Sequence, residues 1–122
     1  MCSYFILTFF ELGEKYESNI TDKVFYKFQK RIERNQSQCL RYLRRGEPLW
    51  IRKEKPSSIP DCEVCNSKRT FELQLMPSLI YILQSSQGVH IDYGTVTVYT
   101  CSNDQCYKNI LNEEYIYVQK SV

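Results

Sequence analysis

Residues 62–77 read CEVCNSKRTFELQLMP. Two cysteines flank two residues, and a run of alternating apolar and polar side chains follows, closing on Met76-Pro77. From Thr70 to Met76 the alternation puts Phe71, Leu73 and Leu75 on one face and Glu72 and Gln74 on the other, the pattern of a half-buried strand. Pro77 suits the first turn of a helix bearing Leu79, Ile80 and Leu83. A paired cysteine at the mouth of a strand is open to four readings: half of a metal clamp, a disulfide, a redox centre, or two buried thiols.

The partner of this pair lies further along. Cys101 and Cys106 (CSNDQC) follow Cys65 after 35 residues, giving C-x2-C and C-x4-C, each pair at the end of a strand-like run. Two tight turns can deliver four thiolates to one ion, and zinc accepts four sulfurs in a closed tetrahedral site. The spacing therefore favours structural zinc on Cys62, Cys65, Cys101 and Cys106, with two pairs of buried free thiols as the main alternative. A thioredoxin-like centre fits less well, since no helix clearly follows Cys62 and Cys65. His90 is a substitute ligand at most, and Cys2 and Cys39 read as small buried apolar residues.

Outward from these motifs, residues 3–10 read as a strand apolar on both faces. Thr21 or Asp22 can cap a helix running to about Arg34, with Val24, Phe25, Phe28 and Ile32 at helical spacing. Asn35 and Gln38 stand as an N-cap pair for a second short helix carrying Cys39, Leu40 and Leu43, which Gly46 would stop. Pro48 to Ile51 is a short extended piece, residues 56–61 a loop, and Ser85 to Gly88 another. The run from His90 to Thr100 is rich in β-formers; Val96 and Val98 share one face, and Tyr93, Thr95, Thr97 and Tyr99 the other, as in a central strand. Glu114 to Gln119 closes the chain as a strand. The class is α+β: a mixed or antiparallel sheet with zinc-ribbon-like knuckles, an N-terminal helical pair, and one short helix after Pro77.

A length of 122 residues suits one domain, small enough that a metal staple helps noticeably. The net charge of +2 is unevenly spread. Lys27 to Lys55 holds ten basic residues against Glu33, Glu47 and Glu54, so this segment is +7 and the remainder −5. Such a dipolar chain can turn one side to RNA or to an acidic partner, although a charge run is often only a solvated helix face. The N-terminal apolar run is too short to span a bilayer and lacks the basic region and cleavage site of a secretory signal. A reducing compartment, cytoplasm or nucleus, is expected, where stable disulfides are disfavoured. On that reading the N-x-S/T triplets at Asn19 and Asn35 are chance. With a single His, no glycine-rich phosphate loop, no nucleophile elbow and no H-E-x-x-H, no catalytic constellation stands out, and no enzymatic activity is expected.

Three longer stretches carry a resemblance: FYKFQKRIERNQSQCLRYLRRGEPLW (Phe25–Trp50), IPDCEVCNSKRTFELQLMPSL (Ile59–Leu79) and DYGTVTVYTCSNDQC (Asp92–Cys106). With Glu113-Glu114 and Gln119 behind them, they resemble the C-terminal domain of the programmed cell death protein 2 family, in order, over about residues 4–119. Four departures stand out. Asn66 replaces the glycine after the knuckle and is expected to be left-handed, Arg45 replaces the first of two glycines, Tyr93 replaces a tryptophan, and the second cysteine pair has one extra intervening residue. The chain reads as one domain, 1–122, without the family's N-terminal portion and its zinc finger.

The resemblance implies a dedicated chaperone in making the small ribosomal subunit, one that captures a newly made small-subunit ribosomal protein and supports ribosomal RNA maturation. It implies no membrane and no small-molecule substrate. Acidic and aromatic surface suits a basic client. Arg41, Tyr42, Arg44 and Trp50, within the L-R-Y to P-L-W stretch, are candidates for its groove, with core packing as the plain alternative for Tyr42 and Trp50. A zinc-ribbon-like RNA-binding module, placing the basic segment on pre-ribosomal RNA, is the second reading, and redox work by the cysteines a distant third.

Overall fold

A computed structural model describes residues 20–88, 90–106 and 113–122. The strand expected over residues 3–10 lies outside these. Helix α1 (Ile20–Ile32) runs into a single 3-10 turn (Glu33–Asn35). Strand β1 (Leu40–Tyr42) follows, then β2 (Arg69–Leu75), helix α2 (Ser78–Gln87), β3 (Thr95–Cys101) and β4 (Tyr115–Gln119). The strands form one four-stranded sheet in chain order, β1-β2-β3-β4, every pair antiparallel. The α+β expectation holds, and of the two sheet types expected the sheet is the antiparallel one.

Helix α1 turns Phe25 and Phe28 inward against Ile51 and Met76, with Ile32 and Leu49 packed at the edge of that cluster. Thr21 and Asp22 lie inside the helix rather than before it. The expected second helix is absent. Gln38 N–H donates to Asn35 O at 3.2 Å to close a turn, and the chain then pairs with β2. Met76 N–H donates to Cys39 O at 2.8 Å, Leu43 N–H to Glu72 O at 3.0 Å, and Arg45 N–H to Phe71 O at 2.7 Å, so the pairing extends past both ends of β1. A helix of two turns is marginal alone, because its first turn is costly to nucleate. The backbone partners offered by β2 win. The turn beyond β1 holds Arg45 at φ 64°, the left-handed region that a glycine adopts without penalty.

Pro77 precedes α2 as read from the sequence, but the helix continues through Gln87, and Gly88 at φ 63° caps it. Leu79, Ile80 and Leu83 are only half-buried, and no residue of α2 is fully buried.

Strand β2 departs from simple alternation. Its register against β3 shifts between Phe71 and Leu73. This irregularity puts Phe71 and Gln74 on one face, both buried, while Leu73 and Leu75 turn to the other. The expected grouping of Phe71 with Leu73 and Leu75 is corrected accordingly. Strand β3 is central, and its faces divide as its sequence indicates, with Thr95, Thr97 and Tyr99 buried and Val96 and Val98 half-buried.

The buried face is closed by residues 49–54, which cross from β2 to β4 as an irregular strap. Gln74, with no exposed surface, donates from Nε2 to Leu49 O at 2.7 Å and accepts at Oε1 from Leu49 N–H at 3.0 Å. At the other end Gln119 Oε1 accepts from Ile51 N–H at 2.9 Å, and its Nε2 donates to Arg52 O and Glu54 O at 3.2 and 2.6 Å. Two buried side-chain amides thus replace strand pairing for the strap backbone, which must find partners wherever it is removed from water. Gly94 allows the closure. A Cβ there would stand 2.6 Å from Lys120 O and 2.9 Å from Ile51 Cγ2. Beside it, buried Tyr93 donates from its hydroxyl to Met76 O at 2.9 Å, which gives the tyrosine at this position a polar anchor.

Candidate metal centre

The first knuckle enters β2 and the second leaves β3. Because Arg69 and Cys101 are register partners at the shared end of these antiparallel strands, cysteine pairs separated by 35 intervening residues meet in space. In the first knuckle Asn66 N–H donates to Cys62 O at 2.9 Å and Cys62 N–H to Ser67 O at 2.8 Å, with Asn66 at φ 60°. The left-handed asparagine expected in place of the family's glycine is present. The second knuckle is a turn in which Cys106 N–H donates to Asn103 O at 3.1 Å and Gln105 N–H to Asn103 Oδ1 at 2.9 Å. The extra residue between these cysteines is absorbed in that turn.

All four sulfurs lie within 4.8 Å of one another. Cys62 Sγ is 3.9 Å from Cys106 Sγ, and Cys65 Sγ is 3.5 Å from Cys101 Sγ. A tetrahedral ion held by thiolates at about 2.3 Å needs sulfurs about 3.8 Å apart, so the group can hold one metal ion. Backbone N–H groups point at the sulfurs: Val64 N is 3.4 Å from Cys62 Sγ, and Asn103 N is 3.4 Å from Cys101 Sγ. Such donors favour the thiolate. Hydrogen bonds from the Ser67 side chain and backbone draw the Cys65 thiol down to about 6. Burial, followed by hydrogen bonds with Cys65 and Cys62, pushes Cys106 up to about 12, and burial also raises Cys101. One sulfur is ready to bind, and a dication would favour deprotonation of the others.

A polar frame supports the cluster. Cys101 N–H donates to Glu114 Oε2 at 3.0 Å, and Arg69 Nε stands 3.6 Å from the same oxygen, an ion pair longer than a hydrogen bond. Arg69 also donates to Pro60 O at 3.2 Å and Glu113 O at 3.4 Å. Arg44 pairs with Asp104, and Arg45 Nη2 donates to Ser102 O at 2.8 Å. Arg44, a candidate for the client groove, and Glu114 thus brace the knuckles. His90 is exposed and lies outside the cysteine group, and Cys39 receives a contact from Ser78 Oγ at 3.7 Å. Cys2 lies outside the described residues.

The candidate partner residues do not form one surface. Arg41 and Tyr42 alternate on β1 and so face opposite sides of the sheet. Arg41 Nη1 donates to Gln74 Oε1 at 2.9 Å, joining the strap network, and burial followed by the nearby charge of Arg31 lowers its pKa. Tyr42 stands on the outer face and donates to Glu72 Oε1 at 3.0 Å. Trp50 is half-buried on the strap, edge-on to Tyr117 at 6.3 Å, with Lys55 Nζ 5.6 Å over its ring. The buried glutamines were not legible as structural residues, since a polar residue in an alternating strand reads as solvent-facing.

The family model for the C-terminal domain of programmed cell death protein 2 matches residues 22–121. The chain is 45% identical over 94 residues to programmed cell death protein 2-like of Homo sapiens, covering 72% of this chain and 26% of that protein. It is 39% identical over 110 residues to programmed cell death protein 2 of Bos taurus, covering 86% and 31%. With the probable 20S rRNA accumulation protein 4 of Schizosaccharomyces pombe it shares 36% identity over 106 residues, covering 75% and 26%. The chain thus spans about a quarter to a third of the length of these curated relatives. No solved structure matches it. The chain belongs to the programmed cell death protein 2 family, to whose C-terminal domain it corresponds.

Proposed function

We propose that this chain is a non-enzymatic chaperone or assembly factor in small-subunit ribosome biogenesis, binding a newly made small-subunit ribosomal protein. The observation that carries this reading is the kinship with a protein named for 20S rRNA accumulation, which extends over 106 aligned residues. The domain serves as a recognition scaffold whose sheet end is clamped by structural zinc on Cys62, Cys65, Cys101 and Cys106. Four thiolates leave a zinc ion no open position for water or substrate, so the clamp holds the fold and does no chemistry. Affinity capture of the intact chain from cells tests the function. One small-subunit ribosomal protein, in stoichiometric amount and retained after RNase treatment, is expected; an empty capture removes the reading. Elemental analysis is expected to find one zinc per chain. Four freely titrating thiols in freshly purified protein would remove the zinc assignment.

A second reading rests on α1, which exposes Lys23, Lys27, Lys30 and Arg31. As an RNA-binding face it requires affinity that falls steeply with salt. Retention of RNA with that dependence favours it, and no retention at low salt eliminates it.

A further inference from the structure

Between α1, α2 and the residues that precede β3 lies a cavity of about 370 Å³, within the range of small ligand and side-chain pockets. Its floor is apolar, formed by Phe25, Phe28, Ile51 and Met76. Its wall and mouth carry side-chain amides: Gln29, Asn35, Gln36, Gln38 and Gln84. The only charged side chain among the described lining residues is that of Asp92, an exposed carboxylate that accepts from Ser121 Oγ at 3.1 Å.

Gln29 breaks the rule that buried polar groups are satisfied. It is 5% exposed, and its Oε1 meets no hydrogen-bond donor among the described residues. An unmet buried acceptor is costly, and folding alone would be served as well by methionine. The terminal torsion of a glutamine is broad, so a small rotation offers this oxygen to a donor inside the cavity.

We infer that this cavity is a peptide-binding site, which takes a large apolar side chain of an extended segment of a partner protein, with a backbone N–H of that segment donated to Gln29. Peptide bonds present the donors and acceptors that a ring of neutral amides matches, and an apolar residue fills the floor. Asp92, with no basic side chain among the described lining residues, selects segments in which Lys or Arg flanks the apolar anchor. The inference rests on the proposed client reading, since a basic ribosomal protein offers such segments, and it names how that client is held.

The test uses the full chain and an array of octapeptides tiled across the small-subunit ribosomal proteins. Bound peptides are expected to share a Leu, Ile, Phe or Met next to Lys or Arg. Gln29→Met is expected to weaken the best peptide roughly tenfold, as loss of one buried hydrogen bond does, with thermal stability unchanged or raised. A merely structural glutamine would instead lose stability and leave peptide affinity alone, which overturns the proposal. Asp92→Asn is expected to abolish the preference for basic neighbours without affecting the fold, and Ile80→Trp to block binding by filling the cavity. An array without a shared anchor, or binding indifferent to both Gln29→Met and Ile80→Trp, overturns the site. So does equal uptake of a free apolar probe such as indole without discrimination among peptides. If cellular capture yields a ribosomal protein that Ile80→Trp still binds, this site fails while the client reading stands. If the array succeeds and the capture is empty, the reverse holds.

Discussion

One face of the sheet carries Arg41, Gln74, Thr97 and Tyr117 in a row of register partners; the other carries Leu40, Leu75, Val96 and Val118, and next to them Tyr42, Leu73, Val98 and Ile116. Composition would place the second face inside. The first is the more deeply buried: Gln74, Thr95 and Thr97 have no exposed surface, whereas Ile116 and Val118 are 57% and 53% exposed. The difference lies in the strap. Its backbone needs hydrogen bonds once it lies on the sheet, and glutamine amides supply them where an aliphatic face cannot. A polar face becomes an interior here because its glutamine amides meet the strap backbone, even though the buried Thr97 Oγ1 finds no partner among the described residues, and that depends on a segment distant in sequence.

Of the expected effects, removing the proposed zinc ranks largest, and it acts on both faces alike, because the cysteine cluster sits at the common end of β2 and β3. Chelation, or Cys62→Ser, should lower stability by several kcal/mol on the order of a tight ligand's linkage, read by urea unfolding with and without added zinc. No difference between metal-loaded and chelated protein would contradict the clamp. Next come the glutamines. Gln74→Ala or Gln119→Ala should each cost about 2–4 kcal/mol, since each strands strap N–H and C=O groups in the interior. A loss below about 1 kcal/mol would mean that the strap does not depend on them. Ile116→Lys and Val118→Lys on the outer face should move the unfolding midpoint by no more than about 0.5 kcal/mol, despite removing larger apolar groups. If they cost as much as the glutamines, the two faces are not distinguished in the way their burial indicates.

The smallest expected effect on stability, but a sharp one in reactivity, concerns pH. In metal-free protein the Cys65 pKa lies below its ordinary value, so its contribution to stability is present above the usual thiol range and fades as pH falls through about 6. Cys106 is displaced upward, so its contribution holds below the usual thiol range and is lost as pH rises toward about 12. Iodoacetamide should therefore label Cys65 with a midpoint near pH 6 while Cys106 stays slow, as mass spectrometry of quenched samples would read. Equal labelling of both cysteines would show that the knuckles do not differentiate their thiols.

Much was legible in the chain itself. The cysteine spacing identified the four sulfurs that converge, because a C-x2-C turn and a strand end have narrow geometries. The run from Thr95 to Tyr99 declared its two faces, and Asn66 declared a left-handed turn. Less was legible where two local tendencies compete. Cys39, Leu40 and Leu43 stand at helical spacing, but Leu40–Tyr42 becomes β1, since exposed backbone on β2 outweighs a helix too short to nucleate. The irregularity between Phe71 and Leu73 reverses which residues of β2 face inward, and nothing in the alternation announces it.

By itself, the sequence determined the family, the α+β class and the four cysteines that converge. Each is carried by residue type at fixed spacing, and spacing is a property of the chain. Only the tertiary structure decided that glutamines would be buried, that Arg41 and Tyr42 would part to opposite faces, and that a cavity with one unmet acceptor would open beside α1. Those outcomes depend on which distant segment comes to lie over each surface, and burial energy is settled between segments rather than within them.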